Sequence, residues 1–256
     1  MFYDVTPDGL GDMTHDEYLA ADDDGRVVEI WNDVFMQYEK RDGKVIGKLS
    51  QKNVDTGSGL ERVTMLVQGK TNVYETDFFK KTKKVIEENL KLNNEKAVRI
   101  ILDHLRSSVF LIGDGVFPSN KDQGYVLRRL IRRAVRYMDI IGLDEALLSS
   151  LVSATLEPYI DTYNELVVQA PQIAEVIRVE ETKFRKTLKD GLKEFEKGVD
   201  PFILATTYGF PIELTEELAQ ERGIAVDHVS FDEEKRKHSE ESRTASAGKF
   251  KGGLGG

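Results

Sequence analysis

The pattern of apolar and polar positions changes about a quarter of the way along the chain. Residues 26–37 are mostly apolar, and residues 34–36 do not alternate with polar positions, so we predict a strand that is buried on both faces. Residues 22–25, Asp-Asp-Asp-Gly, predict a turn before this strand. The Asp-Gly pair within residues 41–44 is typical of a hairpin turn after it.

From about residue 71 onward, apolar residues recur at three- and four-residue spacing, which indicates helices. A shorter run with the same spacing follows Gly59. The predicted helices lie near residues 76–92, 95–112, 123–141, 144–156, 158–169, 171–197, 212–222 and 228–247. The predicted fold class is therefore α+β and predominantly α. We divide it into residues 1–74, a helical domain of residues 75–247, and a flexible Gly/Lys-rich tail of residues 248–256.

Composition excludes several classes of protein. With 40% hydrophobic and 32% charged residues, the 256-residue chain fits a soluble globular protein. It has no cysteine, so it can form neither a disulfide nor a cysteine zinc site. No apolar run approaches the roughly 18 residues of a membrane span, and no secretory signal is visible. The formal net charge of −9 means that any RNA contact must depend on a local basic patch.

The segment Asn53 to Val63 carries the most specific chemistry. Glycines 57 and 59 allow a ligand to approach the backbone closely, and a helix N-terminus that follows suits an anion. Arg62, three positions after the second glycine, is suited to hold a phosphate, and Asp55 is suited to hold a cationic group such as an ammonium. The spacing matches neither a dinucleotide-binding fingerprint nor a Walker A loop. A plain turn before a surface helix is the alternative.

A predicted helix near residues 123–141 separates apolar residues from arginines. Leu127, Ile131 and Met138 mark one face. The other face carries Arg128, Arg129, Arg132, Arg133 and Arg136. Clustered like charges destabilise a helix unless they are neutralised, either by RNA phosphates or by acids of a neighbouring helix. In the helix near 171–197, Glu180 lies on an apolar face, so it either pairs with one of these arginines or lies at a rim.

Four further residues are candidates for structural or binding roles. Asn120 precedes the basic helix, and its amide could read a base edge or could cap the helix. Trp31 is expected in the core, whereas Asn32 lies within an apolar run and needs a partner, which makes it a ligand-site candidate. The four histidines show no ligand spacing, so we expect no metal site, and His104 is expected to be a structural helix residue.

Four blocks in order resemble the alanyl-tRNA synthetases, a class II family. Residues 29–37, Glu-Ile-Trp-Asn-Asp-Val-Phe-Met-Gln, resemble the strand before motif 3, and residues 53–63 resemble motif 3 itself. Residues 118–136, from Pro-Ser-Asn to the last arginine, and residues 208–215, Tyr-Gly-Phe-Pro-Ile-Glu-Leu-Thr, are similar to the tRNA-recognition region. The resemblance covers most of the chain.

The resemblance implies the end of a class II antiparallel sheet followed by a helical tRNA-recognition domain. It implies ATP-dependent attachment of alanine to its tRNA through an alanyl-adenylate, with ATP and Mg²⁺ as cofactors and no zinc. It also implies a cytoplasmic protein whose partners are the tRNA acceptor stem, alanine and ATP, with no membrane. Motifs 1 and 2 and the editing domain are not in this sequence, so we expect an internal piece that is inactive by itself.

The resemblance also assigns residues. It places Glu29, Gly59 and Arg62 at ATP, with Arg62 on the γ-phosphate, and Asp55 at the ammonium of alanine. Arg62 and Asp55 would position substrates and neutralise charge without acid–base chemistry. The alanine pocket would comprise Trp31, Asn32, Val34, Asp55 and Gly57. The tRNA contacts would comprise Asn120, Arg128, Arg129, Arg132, Arg133, Arg136 and Glu213.

Asn120 and Glu213 would read the G·U wobble pair of the acceptor stem. Glu213 departs from the family pattern, which has an aspartate there. Two other functions remain open from the sequence. The chain could be a pure acceptor-stem binding module, or a helical protein-interaction domain whose arginines meet an acidic partner. Salt-dependent RNA binding would distinguish the first of these from the second.

Overall fold

The computed structural model describes residues 1–145 and 147–223, together with residues 231, 233, 236 and 237. Contacts divide the chain into two compact units, Met1–Glu88 and Asn89–Gly256. The division expected from the sequence, at residue 74, stays a prediction about domains. Among the described residues, no helix combines the length and apolar character needed to cross a membrane.

The first unit combines a small sheet, a long ribbon and short helices. Strands β1 (Phe2–Asp4) and β2 (Val27–Glu29) pair in antiparallel orientation, with helix α1 (His15–Asp23) between them in the chain. A capping box between Thr14 and Glu17 begins α1. The elements that follow are β3 (Trp31–Arg41), β4 (Lys44–Ser58), α2 (Leu60–Val67), a 3₁₀ turn (Val73–Glu75) and α3 (Asp77–Asn89).

Strands β3 and β4 form an antiparallel ribbon joined at the predicted hairpin turn. The turn is confirmed: Asp42 and Gly43 both have positive φ, at 49° and 80°, as a two-residue primed turn requires. The prediction of one buried strand over residues 26–37 is wrong. The backbone breaks at Ile30, and β3 is exposed along nearly its whole length, because no further strand or helix of the described chain pairs with or covers this ribbon.

The second unit is helical. Its helices are α4 (Glu95–Gly113), α5 (Asp122–Ile140), α6 (Leu147–Ser150), α7 (Val152–Leu156), α8 (Asn164–Glu196), α9 (Pro201–Thr207) and α10 (Ile212–Glu221), with a 3₁₀ turn at Glu157–Tyr159. Helix α4 packs along α5, and α8 packs against both. Each contributes an apolar face to the core, so the predicted separation of faces on the basic helix is confirmed. Fully buried members include Ile101, Val109, Leu127, Ile131, Val135, Ile173, Ile177 and Phe184.

Several predicted helix limits differ from the observed ones. Helix α8 runs through Pro171, where the sequence predicted a break. Proline removes one hydrogen bond, but Leu166, Ile173 and Ile177 on either side are buried in one core, which keeps the helix continuous. The predicted helix 144–156 divides into α6 and α7 around Leu151. Helices α1 and α9 were not predicted, and the predicted helix 228–247 falls largely outside the described residues.

Helix α8 is in close contact with the connection between α9 and α10. Phe210 is fully buried, and its ring lies against Gly191 of α8. A Cβ added at Gly191 would overlap this ring, with Cδ2 at 2.7 Å. The aromatic contact continues to Phe184, whose ring centroid lies 5.7 Å from that of Phe210. Glycine at 191 therefore allows the segment before α10 to sit directly on α8.

We predict that Gly191→Ala destabilises the second unit by about 1–3 kcal/mol, the usual cost of overpacking a filled core. Chemical denaturation followed by circular dichroism measures the change. Gly47→Ala is the control, because an added Cβ there meets nothing within 4 Å. Equal stability of the two variants would show that Phe210 can move aside at no cost.

Candidate functional site

The arginines of α5 meet the acidic residues of α10. Residues three or four apart lie on one side of a helix, so both helices present a row of charges to each other. The pairs are Arg129–Glu213 at 2.5 Å, Arg133–Glu217 at 2.7 Å and Arg136–Glu221 at 2.7 Å. We call these six residues the arginine–glutamate ladder. The four-residue spacing of the three acids is visible in the sequence, but only Glu213 was predicted to be a site residue.

Two tyrosines of α5 strengthen the ladder, and neither was singled out from the sequence. Tyr125 Oη donates to Glu213 Oε2 at 3.1 Å, and Tyr137 Oη donates to Glu217 Oε1. Burial, together with these carboxylates, raises the pKa of Tyr125 and of Tyr137 to about 12. Both tyrosines therefore stay protonated donors at neutral pH.

Two of the ladder glutamates, Glu213 and Glu217, are held ionised. Burial alone would raise the pKa of Glu213, but the backbone N–H of the same residue and the Arg129 guanidinium reverse this and bring the pKa below its ordinary value of 4.5. Burial likewise raises the pKa of Glu217, and hydrogen bonds from Arg133 and Tyr137 lower it below 4.5. Each carboxylate is thus a charged acceptor in a half-buried setting.

A second set of charges is buried between α5 and α8. Glu180 is 5% exposed, and its Oε1 accepts from Arg132 Nε at 2.7 Å and lies 2.6 Å from Arg132 Nη2. Arg128 Nε lies 3.9 Å from the same oxygen. The prediction that Glu180 pairs with an arginine of the basic helix is confirmed. Arg132 also donates to the carbonyl of Gly209.

These pairs change the interpretation of the basic helix. Arg132 is 8% exposed and Arg136 is 4% exposed, and both pair with glutamates of neighbouring helices. The sequence left two partners open for the arginine face, RNA phosphates or acids of a neighbouring helix, and the resemblance placed all five arginines at the tRNA. In this structure the guanidinium groups of these two residues are turned to protein carboxylates, so direct phosphate contact is open only to Arg128, Arg129 and Arg133, which keep part of their surface.

Asn120 lies beside the first turn of α5 without capping it. The N-cap is Lys121, and the local turn is closed by Ser119, whose Oγ donates to the carbonyl of Lys121. The side-chain oxygen of Asn120 accepts from Arg128 Nη1. No described residue accepts a hydrogen bond from its amide nitrogen. The amide is therefore oriented by an arginine while its donor side remains available.

Asn120 and Glu213 are brought to the same end of α5, although 93 positions separate them in sequence (213 minus 120). Consecutive arginines hold them: Arg128 holds Asn120, and Arg129 holds Glu213. Tyr125, which donates to Glu213, also lines the cleft that contains Asn120. This cleft, with a volume of about 590 Å³, lies between α5, α8 and α9 and is also lined by Lys183, Thr206 and Pro211.

In the first unit, the ribbon register arranges the candidate alanine-pocket residues. Asn32 pairs with Gly57 and Val34 pairs with Asp55, and cross-strand partners share one face of a ribbon. Trp31 pairs with Ser58 on the opposite face, where its Nε1 donates to Thr56 Oγ1 at 2.7 Å. It is 39% exposed, so the expectation that it is a core residue is wrong. Trp31 also does not share a face with the other four.

Arg62 lies in the first turn of α2, as predicted. Gly59 is the N-cap of this helix, and an added Cβ there would come within 3.2 Å of the Arg62 side chain. The arginine folds back over this glycine, and its Nη1 donates to the carbonyl of Glu29 at 2.7 Å. The resemblance assigned three residues to the ATP site, and the structure brings them next to one another: Glu29, Gly59 and Arg62.

Two other expectations concern metals and His104. The described residues contain no cluster of three or more His, Asp or Glu placed to hold a metal ion. His104 is buried on α4, with Nδ1 at 2.9 Å from Asp103 and Nε2 at 2.9 Å from Arg133. His104 thus helps to hold the Arg133 guanidinium in place, in agreement with a structural role.

We predict that the ladder makes stability sensitive to acid. The pKa values of Glu213 and Glu217 are lower folded than unfolded, so their stabilisation is complete above about pH 4.5 and is lost as the pH falls through the folded values. Denaturation midpoints between pH 6 and 3 measure this loss. Glu217→Gln should flatten the decline relative to the exposed control Glu88→Gln, and parallel curves for the two variants would contradict the prediction.

Comparisons with known proteins identify the family to which the chain belongs. The family model for class II (A) tRNA synthetases matches residues 1–252. An alanine–tRNA ligase of Borrelia hermsii is 43% identical over 249 residues, covering 90% of this chain and 42% of that protein. Those of Elusimicrobium minutum and Thermotoga maritima are 43% and 41% identical, covering 87% and 96% of this chain but 27% and 30% of their own lengths. The chain thus spans less than half of these relatives, and it belongs to the class II (A) tRNA synthetase family.

Proposed function

We propose that this chain provides the tRNA-recognition region and the motif 3 part of the ATP and alanine site of a cytoplasmic alanine–tRNA ligase. The observation that carries the proposal is that two adjacent arginines of α5, Arg128 and Arg129, hold Asn120 and Glu213. The relatives that bear the name alanine–tRNA ligase support the substrate assignment.

The proposed RNA ligand is the acceptor stem of the alanine tRNA, with its G·U wobble pair. The minor groove of an A-form helix is wide and shallow, and the wobble guanine exposes an amino group there. An ionised Glu213 carboxylate is a strong acceptor for that amino group. The amide of Asn120 can donate to an acceptor on the same base pair.

The five arginines of α5 would have two different roles. Arg128 and Arg129 keep 22% and 36% of their side-chain surface exposed and lie beside the two base-reading residues, so they would contact the RNA backbone and set the register. Arg133 would contribute in the same way. Arg132 and Arg136 would support the interface from within, since their charges are already matched by glutamates.

The motif 3 residues of the first unit fit an ATP and alanine site. Arg62 engages Glu29 through Nη1, and its other nitrogens remain to hold the γ-phosphate. Asp55 would hold the ammonium of alanine on the ribbon face that it shares with Asn32, Val34 and Gly57. Gly57 leaves open space where a side chain would stand. Mg²⁺ would be carried mainly by the ATP phosphates, with Glu29 nearby.

These residues would act by position and charge. Orientation of the carboxylate of alanine against the phosphate accounts for much of the rate in such reactions, and fixed cations stabilise the charge that develops. Trp31 would act from the other face of the ribbon. Its hydrogen bond to Thr56, which in turn donates to Asp33, would hold the two strands in register.

A binding module without catalysis is the second candidate. It is favoured by one observation: Asn120, Glu213 and their arginines all lie within the second unit, which has its own core. The hypothesis of a protein-interaction domain depended on arginines that need an acidic partner from another protein. The arginines of α5 instead pair with glutamates of α10 in the same chain, so this hypothesis is no longer needed to explain them.

We predict that Asn120→Ala and Glu213→Ala each reduce the preference for a G·U over a G·C acceptor-stem hairpin. Loss of one base contact should cost ~1–3 kcal/mol of discrimination, with little change for the G·C stem. Fluorescence anisotropy at fixed salt measures both affinities. Glu221→Ala is the matched control, because it removes a ladder carboxylate from the far end of α10. Full retention of the preference in the Asn120→Ala, Glu213→Ala double variant would contradict the assignment.

We predict that Arg62→Ala weakens ATP binding to this chain by about ten-fold or more, since a charge-assisted phosphate contact contributes roughly 1.5–3 kcal/mol. Calorimetric titration with ATP and Mg²⁺ provides the measurement. Arg41→Ala serves as control, because Arg41 is an exposed arginine at the hairpin turn. Identical ATP affinities for both variants would remove Arg62 from the nucleotide site.

A further inference from the structure

We propose that Glu180 is a positioning residue for base-pair discrimination: through Arg132 and Arg128 it sets the places of Glu213 and Asn120 without touching RNA. This inference rests on the proposed function. Glu180 lies on α8 and is 5% exposed, so it is a buried carboxylate with two arginine neighbours on α5. Each arginine leads to one of the two proposed base-reading residues.

The first connection runs from Glu180 to the start of α10. Glu180 Oε1 accepts from Arg132 Nε at 2.7 Å, which fixes the plane of the guanidinium. Arg132 Nη1 then donates to the carbonyl of Gly209. Gly209 has φ +68°, and an added Cβ there would overlap the Arg132 guanidinium. Arg132 thus clamps the connection that ends at Pro211, the N-cap of α10.

Packing makes this clamp specific. The Arg132 guanidinium lies over the Phe184 ring, 5.1 Å from its centroid, and Phe210 packs between that ring and Gly191. Glu213 is the second residue of α10, so a shift of residues 209–211 moves its carboxylate directly. The orientation of Arg132 therefore sets the distance between Glu213 and α5.

The second connection runs from Glu180 to Asn120. Arg128 Nε lies 3.9 Å from Glu180 Oε1, and Arg128 Nη1 donates to the amide oxygen of Asn120. Burial lowers the pKa of Arg128, and the neighbouring Arg132 lowers it further, whereas Glu180 acts in the opposite direction. The Glu180 carboxylate is thus the shared anion that lets two adjacent guanidinium groups stay together at this place.

The neighbouring Glu181 offers a matched control. It is 2% exposed and lies on the same helix, and its Oε1 accepts from Arg185 at 3.0 Å. That contact stays within α8 and leads to neither Asn120 nor Glu213. Glu180→Gln and Glu181→Gln therefore each remove one buried charge from α8, but only the first removes it from Arg132 and Arg128.

The experiment compares both variants, in the full chain, by two measurements. The first is the ratio of affinities for G·U and G·C acceptor-stem hairpins. We expect Glu180→Gln to lower this ratio by about five-fold or more, the lower end of what one base contact contributes, and Glu181→Gln to preserve it. The second is amide hydrogen exchange of residues 209–214, which we expect to become about ten-fold faster in Glu180→Gln only.

Arg132→Lys provides a second route, since lysine keeps the charge but lacks the planar fork that links Glu180 to Gly209. It should change both measurements in the same direction as Glu180→Gln, and it carries the test if that variant does not fold. Equal effects of Glu180→Gln and Glu181→Gln, or wild-type values of ratio and exchange in Glu180→Gln, would overturn the proposal. A wild-type chain without G·U preference would refute the proposed function, while the exchange comparison would still decide the role of Glu180.

Discussion

Charge neutralisation of the α5 arginines is the constraint on which the second unit depends. Five guanidinium groups on one helix repel each other, and partial burial makes each one costly without an anion. Glutamates from two directions provide that anion: Glu180 from α8, and the acids of the ladder from α10. Removal of one partner from a buried pair such as Arg132–Glu180 typically costs about 3–5 kcal/mol, because the other charge is left uncompensated. The same requirement fixes how α10 lies relative to α5.

A consequence of this arrangement is that, among the five α5 arginines, Arg128, Arg129 and Arg133 keep part of their charged side chains at the surface. Arg132 and Arg136 are buried and paired, whereas Arg128 and Arg129 stand partly exposed beside Asn120 and Glu213. A chain with net charge −9 can therefore present a local site for an RNA backbone. The ladder also keeps Glu213 ionised next to the Arg129 guanidinium, so a strong hydrogen-bond acceptor and a partly exposed cation lie side by side.

Much of this could be predicted from the sequence, and the failures have physical causes. The basic helix, its apolar face, the hairpin turn at Asp42 and Gly43, and the pairing of Glu180 follow from periodicity, turn chemistry and the cost of a buried charge. The burial of Arg132 and Arg136 could not be read from α5 alone, because it depends on acids 48 to 85 positions away, counting 180 minus 132 and 221 minus 136. The exposure of Trp31 and Phe35 was missed because an apolar strand predicts burial without naming the element that covers it.

The departure at Glu213 can be interpreted through its contacts. The resemblance implies an aspartate at this position, and glutamate adds one methylene to the reach of the carboxylate. That carboxylate accepts from Arg129 through Oε1 and from Tyr125 through Oε2, so both oxygens are fixed to α5. Each ionised oxygen has a second lone pair, so a guanine amino group can still be accepted after both protein contacts are made. The longer side chain is thus compatible with base reading, provided that the clamp between Arg132 and Gly209 holds the start of α10 at the matching distance from α5.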